Sequence, residues 1–118
     1  MAVADLDGDG KIDIAVTNST SNGTVAILRN TSPVGNISFS SKVDFGVGGD
    51  PEGIAIGDID GDNKSDIAVA NYSSSNVSIL RNTSNSGSIA FAPKMDYAMG
   101  AGTYSIAMGD IDGDGKVD

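Results

Sequence analysis

A nine-residue acidic segment occurs three times in this chain, and it limits the fold more than any other feature of the sequence. The copies read DLDGDGKID at residues 5–13, DIDGDNKSD at residues 58–66 and DIDGDGKVD at residues 110–118. Asp occupies positions 1, 3, 5 and 9 of every copy. Four carboxylates this close repel one another, at about 1 to 4 kcal/mol per close pair, unless a cation joins them. The segment therefore predicts a cation-binding loop.

The donor atoms indicate which cation the loop binds. Carboxylates at these positions, together with the carbonyl of position 7, offer oxygen atoms only, which is the coordination that Ca²⁺ prefers. Transition metals usually recruit imidazole or thiolate, and the chain has no His and no Cys. Position 6 is Gly10, Asn63 or Gly115, residue types that tolerate the positive φ of a chain turning around an ion. Exposed Asp-Gly turns are the alternative, but a turn needs only one or two of these residues.

The residues that follow the loops distinguish them from EF-hands. An EF-hand needs a bidentate Glu at position 12, where this chain has Val16 and Val69. Ile and Val alternate with Ala in this stretch, which is the periodicity of a strand. We therefore expect the loops to join strands.

The similarity extends beyond the loops to a repeat of about 52 residues. AILRNTS at residues 26–32 returns as SILRNTS at 78–84, and GIAIGDID at 53–60 returns as SIAMGDID at 105–112. A period near 50 residues that contains several short strands is typical of propellers and solenoids. Apolar runs predict four strands in one period, at about 53–58, 66–71, 76–81 and 90–97. The last run contains Pro93 and suits an outer edge strand.

The predicted fold is all-β and consists of β-propeller blades, each a four-stranded antiparallel sheet, with about two blades plus a partial third. We expect the first blade, with a truncated first strand, at residues 1–52, the second at 53–104 and the start of a third at 105–118. Two blades cannot close a ring. The chain is therefore interpreted either as a fragment of a longer propeller, which we favour, or as a protomer that self-associates to complete a ring.

These motifs resemble the FG-GAP/VCBS repeat family, the calcium-loop β-propeller blades that also build the head of integrin α subunits. The FG-GAP pattern is FGVGGDP at residues 45–51, degraded to YAMGAGT at 97–103. The resemblance implies up to three structural Ca²⁺ ions per chain, each held by four Asp side chains and the carbonyl of the position 7 Lys. The implied ligands are Asp5, Asp7, Asp9, Lys11 and Asp13; Asp58, Asp60, Asp62, Lys64 and Asp66; and Asp110, Asp112, Asp114, Lys116 and Asp118.

Composition narrows the classes of function. The chain has 118 residues and a formal net charge of −9. Without His or Cys it cannot use a histidine base or a cysteine nucleophile. Its 7 Lys and Arg residues are scattered, which argues against nucleic acid as a partner. No apolar run approaches 18 residues, so we expect no membrane insertion.

The expected function is that of a calcium-binding, non-enzymatic repeat module used for cell adhesion or for recognition of a protein or carbohydrate. We expect it in a secreted or surface protein, because cytosolic Ca²⁺ would leave sites of extracellular affinity largely empty. The chain carries no signal peptide, which is compatible with a fragment. The alternative is a non-catalytic or substrate-binding part of a larger secreted enzyme that acts on polysaccharides.

Residues outside the loops allow several finer predictions. Two of the four acids outside the acidic loops could form the catalytic carboxylate pair of a glycosidase. Two of the four occupy equivalent positions in the repeat, which favours a structural role, and the other two are interpreted as residues that shape a loop. Tyr72 and Tyr104 are the best candidates for stacking on a sugar, and Arg29 and Arg81 are interpreted as hydrogen-bonding between blades. We expect the Asp58 loop to bind Ca²⁺ best and the Asp110 loop to bind it most weakly. The non-loop acids are Asp44 and Asp96, which are equivalent, and Asp50 and Glu52.

Overall fold

The chain folds into two four-stranded antiparallel sheets with no helix in this computed structural model, which describes residues 1–118. The strands of each sheet follow one another in chain order. This arrangement confirms the predicted all-β fold with sheets of the propeller-blade type; the two sheets do not form a closed ring. The first sheet consists of β1 (Ala2–Ala4), β2 (Asp13–Asn18), β3 (Thr24–Leu28) and β4 (Val43–Gly46). The second consists of β5 (Pro51–Gly57), β6 (Asp66–Asn71), β7 (Asn76–Leu80) and β8 (Met95–Ala98).

The two sheets share one strand register, as the sequence repeat requires. Ala15 pairs with Ile27 in the first sheet, and the equivalent Ala68 pairs with Ile79 in the second. Because side chains alternate between faces along a strand, equal register places equivalent residues on equivalent faces. Each side chain of one sheet can therefore be compared with its counterpart in the other.

The hydrophobic core lies between the sheets. It is built from small and branched side chains of both, which allow the sheets to stack closely. Phe45 of the first sheet and Phe91 of the second meet edge to face, with ring centroids 4.9 Å apart. Burying these apolar groups against each other stabilises the packing of the two repeats. The buried members are Leu6, Ala15, Val25, Ile27, Ile67, Val69 and Leu80.

The outer strand is shorter than the sequence predicts. The run at 90–97 was expected to be one strand, but β8 begins only at Met95. Residues before it pair through a single bridge between Asn82 and Phe91. Pro93 has no N–H to donate to a ladder and separates the bridge from β8. All four residues of β8 are exposed, which confirms its position at an edge.

The FG-GAP segment forms the connection between the sheets at the end opposite the acidic loops. Its Gly48 donates its N–H to Oδ1 of the buried Asn71 at 3.1 Å. A Cβ at Gly48 would lie 2.6 Å from that side chain, so only glycine fits. Asp50 adopts a positive φ of 48°, and its carbonyl accepts a hydrogen bond from the N–H of Tyr72. The segment is therefore a packed linker whose shape supports the loop-forming role expected for Asp50.

Residues 105–118 lie against β5 of the second sheet. The two segments are so close that a Cβ added at Gly53 would lie 2.9 Å from Cα of Ser105. A Cβ added at Gly57 would lie 3.0 Å from Sδ of Met108. The backbones of Gly109 and Asp118 hydrogen-bond to each other and close the third acidic loop. The structure has no helix of the length and apolarity needed to cross a bilayer.

Candidate metal centres

The first two acidic loops occupy equivalent hairpins, between β1 and β2 and between β5 and β6. In each of the three loops, position 6 has the positive φ that the sequence predicted: 85° at Gly10, 65° at Asn63 and 85° at Gly115. Position 4 is also left-handed, at 73° in Gly8 and 80° in Gly61. These two turns bend the backbone so that successive carboxylates face a common centre.

The Asp at position 1 organises each loop from inside. Oδ1 of Asp5 accepts the N–H groups of Gly8 at 2.8 Å and Asp9 at 3.2 Å, and its Oδ2 accepts that of Gly10 at 2.8 Å. The second loop repeats these contacts around Asp58, and Asp110 accepts from positions 4 and 6 of the third. The loop backbone is therefore shaped by its own carboxylate, which keeps part of its acceptor capacity on Oδ2, where only one N–H group is accepted.

The Asp at position 9 ties the loop to the sheet. Oδ2 of the buried Asp13 accepts the N–H of Leu6 at 2.9 Å, and its Oδ1 accepts that of Asn30 at 2.8 Å. Asp66 makes the same two bonds in the second loop, to Ile59 at 3.0 Å and Asn82 at 2.7 Å. These aspartates hold the hairpin in place in addition to any role as ligands.

Burial raises the pKa of Asp13, and the charges of Asp7 and Asp9 raise it further, while the two backbone hydrogen bonds act in the opposite direction. Ionisation of this carboxyl is therefore less favourable in the metal-free protein than in an Asp fully exposed to solvent. A cation among these groups would remove that cost.

Three carboxylates come together in each loop, and their oxygens lie within 4.8 Å of one another. Three of the twelve predicted aspartates, namely Asp9, Asp66 and Asp114, lie outside these groups of ligand atoms. The carbonyls of Lys11, Lys64 and Lys116 stay predictions as ligands. The groups are Asp5, Asp7 and Asp13; Asp58, Asp60 and Asp62; and Asp110, Asp112 and Asp118.

The next repeat contributes to the first loop, which the sequence did not indicate. Nδ2 of Asn82 donates to the carbonyl of Leu6 at 2.9 Å, and the N–H of Gly87 donates to Oδ2 of Asp7 at 2.8 Å. A cavity of about 100 Å³ remains there, lined in part by Asp5, Lys64 and Ser84. The first loop and the interface between the sheets are therefore one structure. The repeated ILRNTS segment, which contains Asn82, is the sequence signal that lies near this contact.

The interpretation of the two arginines as bonds between blades is wrong. Arg29 lies 3.4 Å from Oδ2 of Asp7 and 3.7 Å from Oδ2 of Asp9, both in the loop of its own sheet. Arg81 lies 3.6 Å from Oδ2 of Asp60, again within its own sheet. Beside the first acidic loop, Asn82 and Gly87 of the second repeat make the hydrogen bonds between the sheets instead.

The two tyrosines proposed for sugar stacking lie together at the opposite end of the second sheet. The rings of Tyr72 and Tyr104 stack with centroids 4.5 Å apart and remain 40% and 60% exposed. Contact with Tyr72 raises the pKa of Tyr104, with smaller contributions from burial and Glu52. At the equivalent position of the first repeat, Ser19 donates to Oε1 of Glu52 at 3.2 Å. The stack thus takes the place of a structural contact between repeats.

Comparison with known proteins agrees with the repeated sheets and loops. The structure defines a repeat protein of β-propeller type, with an acidic loop at the same hairpin of each repeat. The family model FG-GAP-like repeat matches residues 5–69 and again 58–118, and the chain belongs to this family. No curated protein and no solved structure matches the chain.

Proposed function

We propose that this chain is a calcium-binding, non-enzymatic repeat module in which Ca²⁺ stabilises a scaffold for recognition. The observation that carries this proposal is the recurrence of three oxygen-only carboxylate clusters at equivalent places in the repeats. Turn formation alone does not require three carboxylates to converge. The donor set fits a hard cation, and the absence of imidazole and thiolate from the chain excludes the ligands that zinc and copper prefer.

The role of the ion in this proposal is structural. A bound Ca²⁺ supplies positive charge that offsets the repulsion among the carboxylates of a loop. The chain's own groups do the rest: the position 1 Asp shapes the backbone, and Asp13 and Asp66 anchor the hairpins to the sheets. At about 1 mM free Ca²⁺ and the affinity of extracellular modules, each filled site would add on the order of 0.4 to 1.4 kcal/mol.

An extracellular location is part of the proposal, because sites with the affinity of extracellular modules fill only where free Ca²⁺ is high. Supporting a non-enzymatic role, the acids outside the loops have structural partners. Asp44 and Asp96 pair with Lys42 and Lys94, and Asp50 accepts a hydrogen bond from Ser73.

Recognition of a protein or carbohydrate is the proposed use of the scaffold. Membership in a larger polysaccharide-acting enzyme is the second candidate, supported by the exposed Tyr72–Tyr104 pair.

We also propose that the outer faces of the pair of sheets pack against further blades of the same kind, supplied by a second copy when the chain is isolated. Ile89 and Val47 pack against the core between the sheets, whereas their repeat equivalents Ile37 and Met99 are 85% and 56% exposed. An oligomer in sedimentation velocity that Ile37→Glu abolishes would support this assembly. A monomer at every concentration would contradict it.

Calorimetric titration with CaCl₂ tests the metal-binding part of the proposal. We expect saturable binding in the wild-type chain and fewer ions after Asp58→Ala, which removes the carboxylate at the centre of the second loop. Asp44→Ala is the matched control, since it removes an acid outside the loops. Unchanged stoichiometry in Asp58→Ala, or an equal loss in Asp44→Ala, would contradict the assignment.

A further inference from the structure

We propose that Arg29 is a built-in counter-cation of the first acidic loop: it stabilises the metal-free loop and, for the same reason, weakens calcium binding there. This inference rests on the proposed function and deepens it. It concerns a residue outside the nine-residue segment whose guanidinium lies within 4 Å of two of its carboxylates, Asp7 and Asp9. Lys11 of the loop itself lies 3.8 Å from Asp9.

The geometry places the guanidinium between two acids. Nη1 of Arg29 lies 3.4 Å from Oδ2 of Asp7 and 3.7 Å from Oδ2 of Asp9. The side chain of Asp7 is fully buried and that of Asp9 is 13% exposed. A buried carboxylate without a positive partner is strongly unfavourable. Arg29 therefore supplies, in the metal-free loop, part of the compensation that a bound cation would give.

The same placement sets the sign of the effect on metal affinity. A cation held by Asp7 and its neighbours shares that carboxylate with the guanidinium, and two like charges around one carboxylate repel each other. The coupling between two charges that share one carboxylate is reciprocal. Part of the free energy with which Arg29 stabilises the metal-free loop is therefore subtracted from the free energy of calcium binding.

The surroundings of Arg29 leave it free to respond. Its guanidinium donates one hydrogen bond, to Oδ2 of Asp7 at 3.4 Å. The side chain is 27% exposed and borders a groove of about 360 Å³ that also contains Ser40 and Ser88. A guanidinium at the wall of an open groove can move into solvent when a second cation arrives, which limits the penalty to a modest factor.

The second repeat offers a weaker version of the same contact. Arg81 lies 3.6 Å from Asp60 alone, and the two side chains are 47% and 37% exposed. Water screens such a pair more effectively than the buried one. The proposal therefore predicts the same sign of effect at both loops, with the larger effect at the first.

The test compares Arg29→Gln with Arg81→Gln, each with and without Ca²⁺. To isolate the first loop, calcium affinity of Arg29→Gln is measured against its parent in a background carrying Asp60→Ala and Asp112→Ala. We expect Arg29→Gln to lower the melting temperature in EDTA and to tighten calcium binding by roughly 3- to 30-fold. Stability in saturating Ca²⁺ should then approach that of the parent. Arg29→Lys, which keeps the charge, should retain most of the parental behaviour.

The outcomes separate this inference from the proposed function. Weaker or unchanged calcium affinity in Arg29→Gln would overturn the counter-cation role, and weaker affinity would show that Arg29 positions the ligands instead. If Arg29→Gln fails to fold in EDTA, Arg81→Gln carries the test: weaker or unchanged calcium binding at the second loop overturns the proposal, and tighter binding supports it. A wild-type chain that binds no Ca²⁺ would overturn the proposed function, whatever the variants show in EDTA.

Discussion

The backbone N–H of Gly87 donates a hydrogen bond to Oδ2 of Asp7 at 2.8 Å, although the two residues are 80 positions apart. Nδ2 of Asn82 donates to the carbonyl of Leu6 in the same loop. The acidic loop of one repeat is therefore held by the turn of the next. This arrangement couples two properties that are separate in a single hairpin, namely the shape of a candidate metal site and the packing of neighbouring sheets.

Replacing Asn82 by Ala should destabilise the protein by roughly 2 to 4 kcal/mol, because buried carbonyls lose their donors. The side chain donates to Leu6 at 2.9 Å and Ser65 at 2.8 Å, and its Oδ1 accepts the N–H of Ser84. Urea unfolding measures the change. Asn30→Ala is the matched control, since its Nδ2 donates only to Ile12, and we expect about half the effect. Equal losses would show that the bond between repeats contributes nothing.

Gly48→Ala should cost about 1 to 3 kcal/mol, because the new methyl group would overlap a buried amide. A Cβ there would lie 2.6 Å from Cγ of Asn71. Gly100 occupies the equivalent place in the next repeat and has nothing within 4 Å of its Cβ position. Thermal unfolding of Gly48→Ala and Gly100→Ala should therefore differ clearly. A tolerated Gly48→Ala would mean that the connection between the sheets is looser than its contact with Asn71 indicates.

The Asp96 carboxylate should stabilise the protein at neutral pH and lose this effect in acid. Burial opposes its ionisation, but hydrogen bonds from Lys94 and Ser78 and the charge of Lys94 outweigh burial and lower its pKa below the ordinary 3.8. A lowered pKa contributes stability that is present above the unfolded value and disappears as pH falls through the folded value. The difference between wild type and Asp96→Asn should hence be constant above about pH 5 and shrink below about pH 4.

Asp44→Asn is the control for this pH experiment. Asp44 also pairs with the Lys two residues before it, but Ala26 stands where the second repeat has Ser78. The contact of Ser78 with Asp96, at 2.6 Å, is therefore the feature that differs. We expect a smaller difference for Asp44→Asn at neutral pH, since exposed ion pairs contribute at most about 1 kcal/mol. Identical pH profiles for the two variants would contradict this account.

The predicted order of calcium affinity, with the Asp58 loop above the Asp110 loop, can be tested by one substitution in each. The three clustered aspartates of the third loop are all exposed, whereas Asp58 in the second is half-buried. Less exposure keeps the carboxylates closer to a binding arrangement and reduces the ordering cost. Asp60→Ala should therefore remove more calcium affinity than Asp112→Ala in calorimetry. Equal losses would contradict the order.

Local chemistry made much of the molecule predictable. Alternating Ile, Ala and Val after each loop indicated β2 and β6, and Asp with Gly at fixed positions indicated the loops and their left-handed turns. These features depend on neighbours within a few residues. The interruption of the last predicted strand at Pro93 also depends on local sequence, but the long apolar run around this residue was interpreted as one strand.

Contacts between repeats could not be predicted in the same way. The role of Asn82 depends on where the stacked sheets place the carbonyl of Leu6, and sequence equivalence to Asn30 gives no sign of the difference. The arginines were misassigned for the same reason. A repeat indicates which residues are equivalent, whereas burial and partners differ because only one of two equivalent faces is covered.

The most direct test of the central claim is the melting temperature of the wild-type chain as free Ca²⁺ rises from EDTA conditions to about 10 mM, with Mg²⁺ as the comparison. If the acidic loops bind calcium in the folded state, the melting temperature rises with the logarithm of Ca²⁺ concentration and Mg²⁺ gives a much smaller rise. Combining Asp5→Ala, Asp58→Ala and Asp110→Ala should abolish the response. A wild-type melting temperature that does not change with Ca²⁺ would contradict the account.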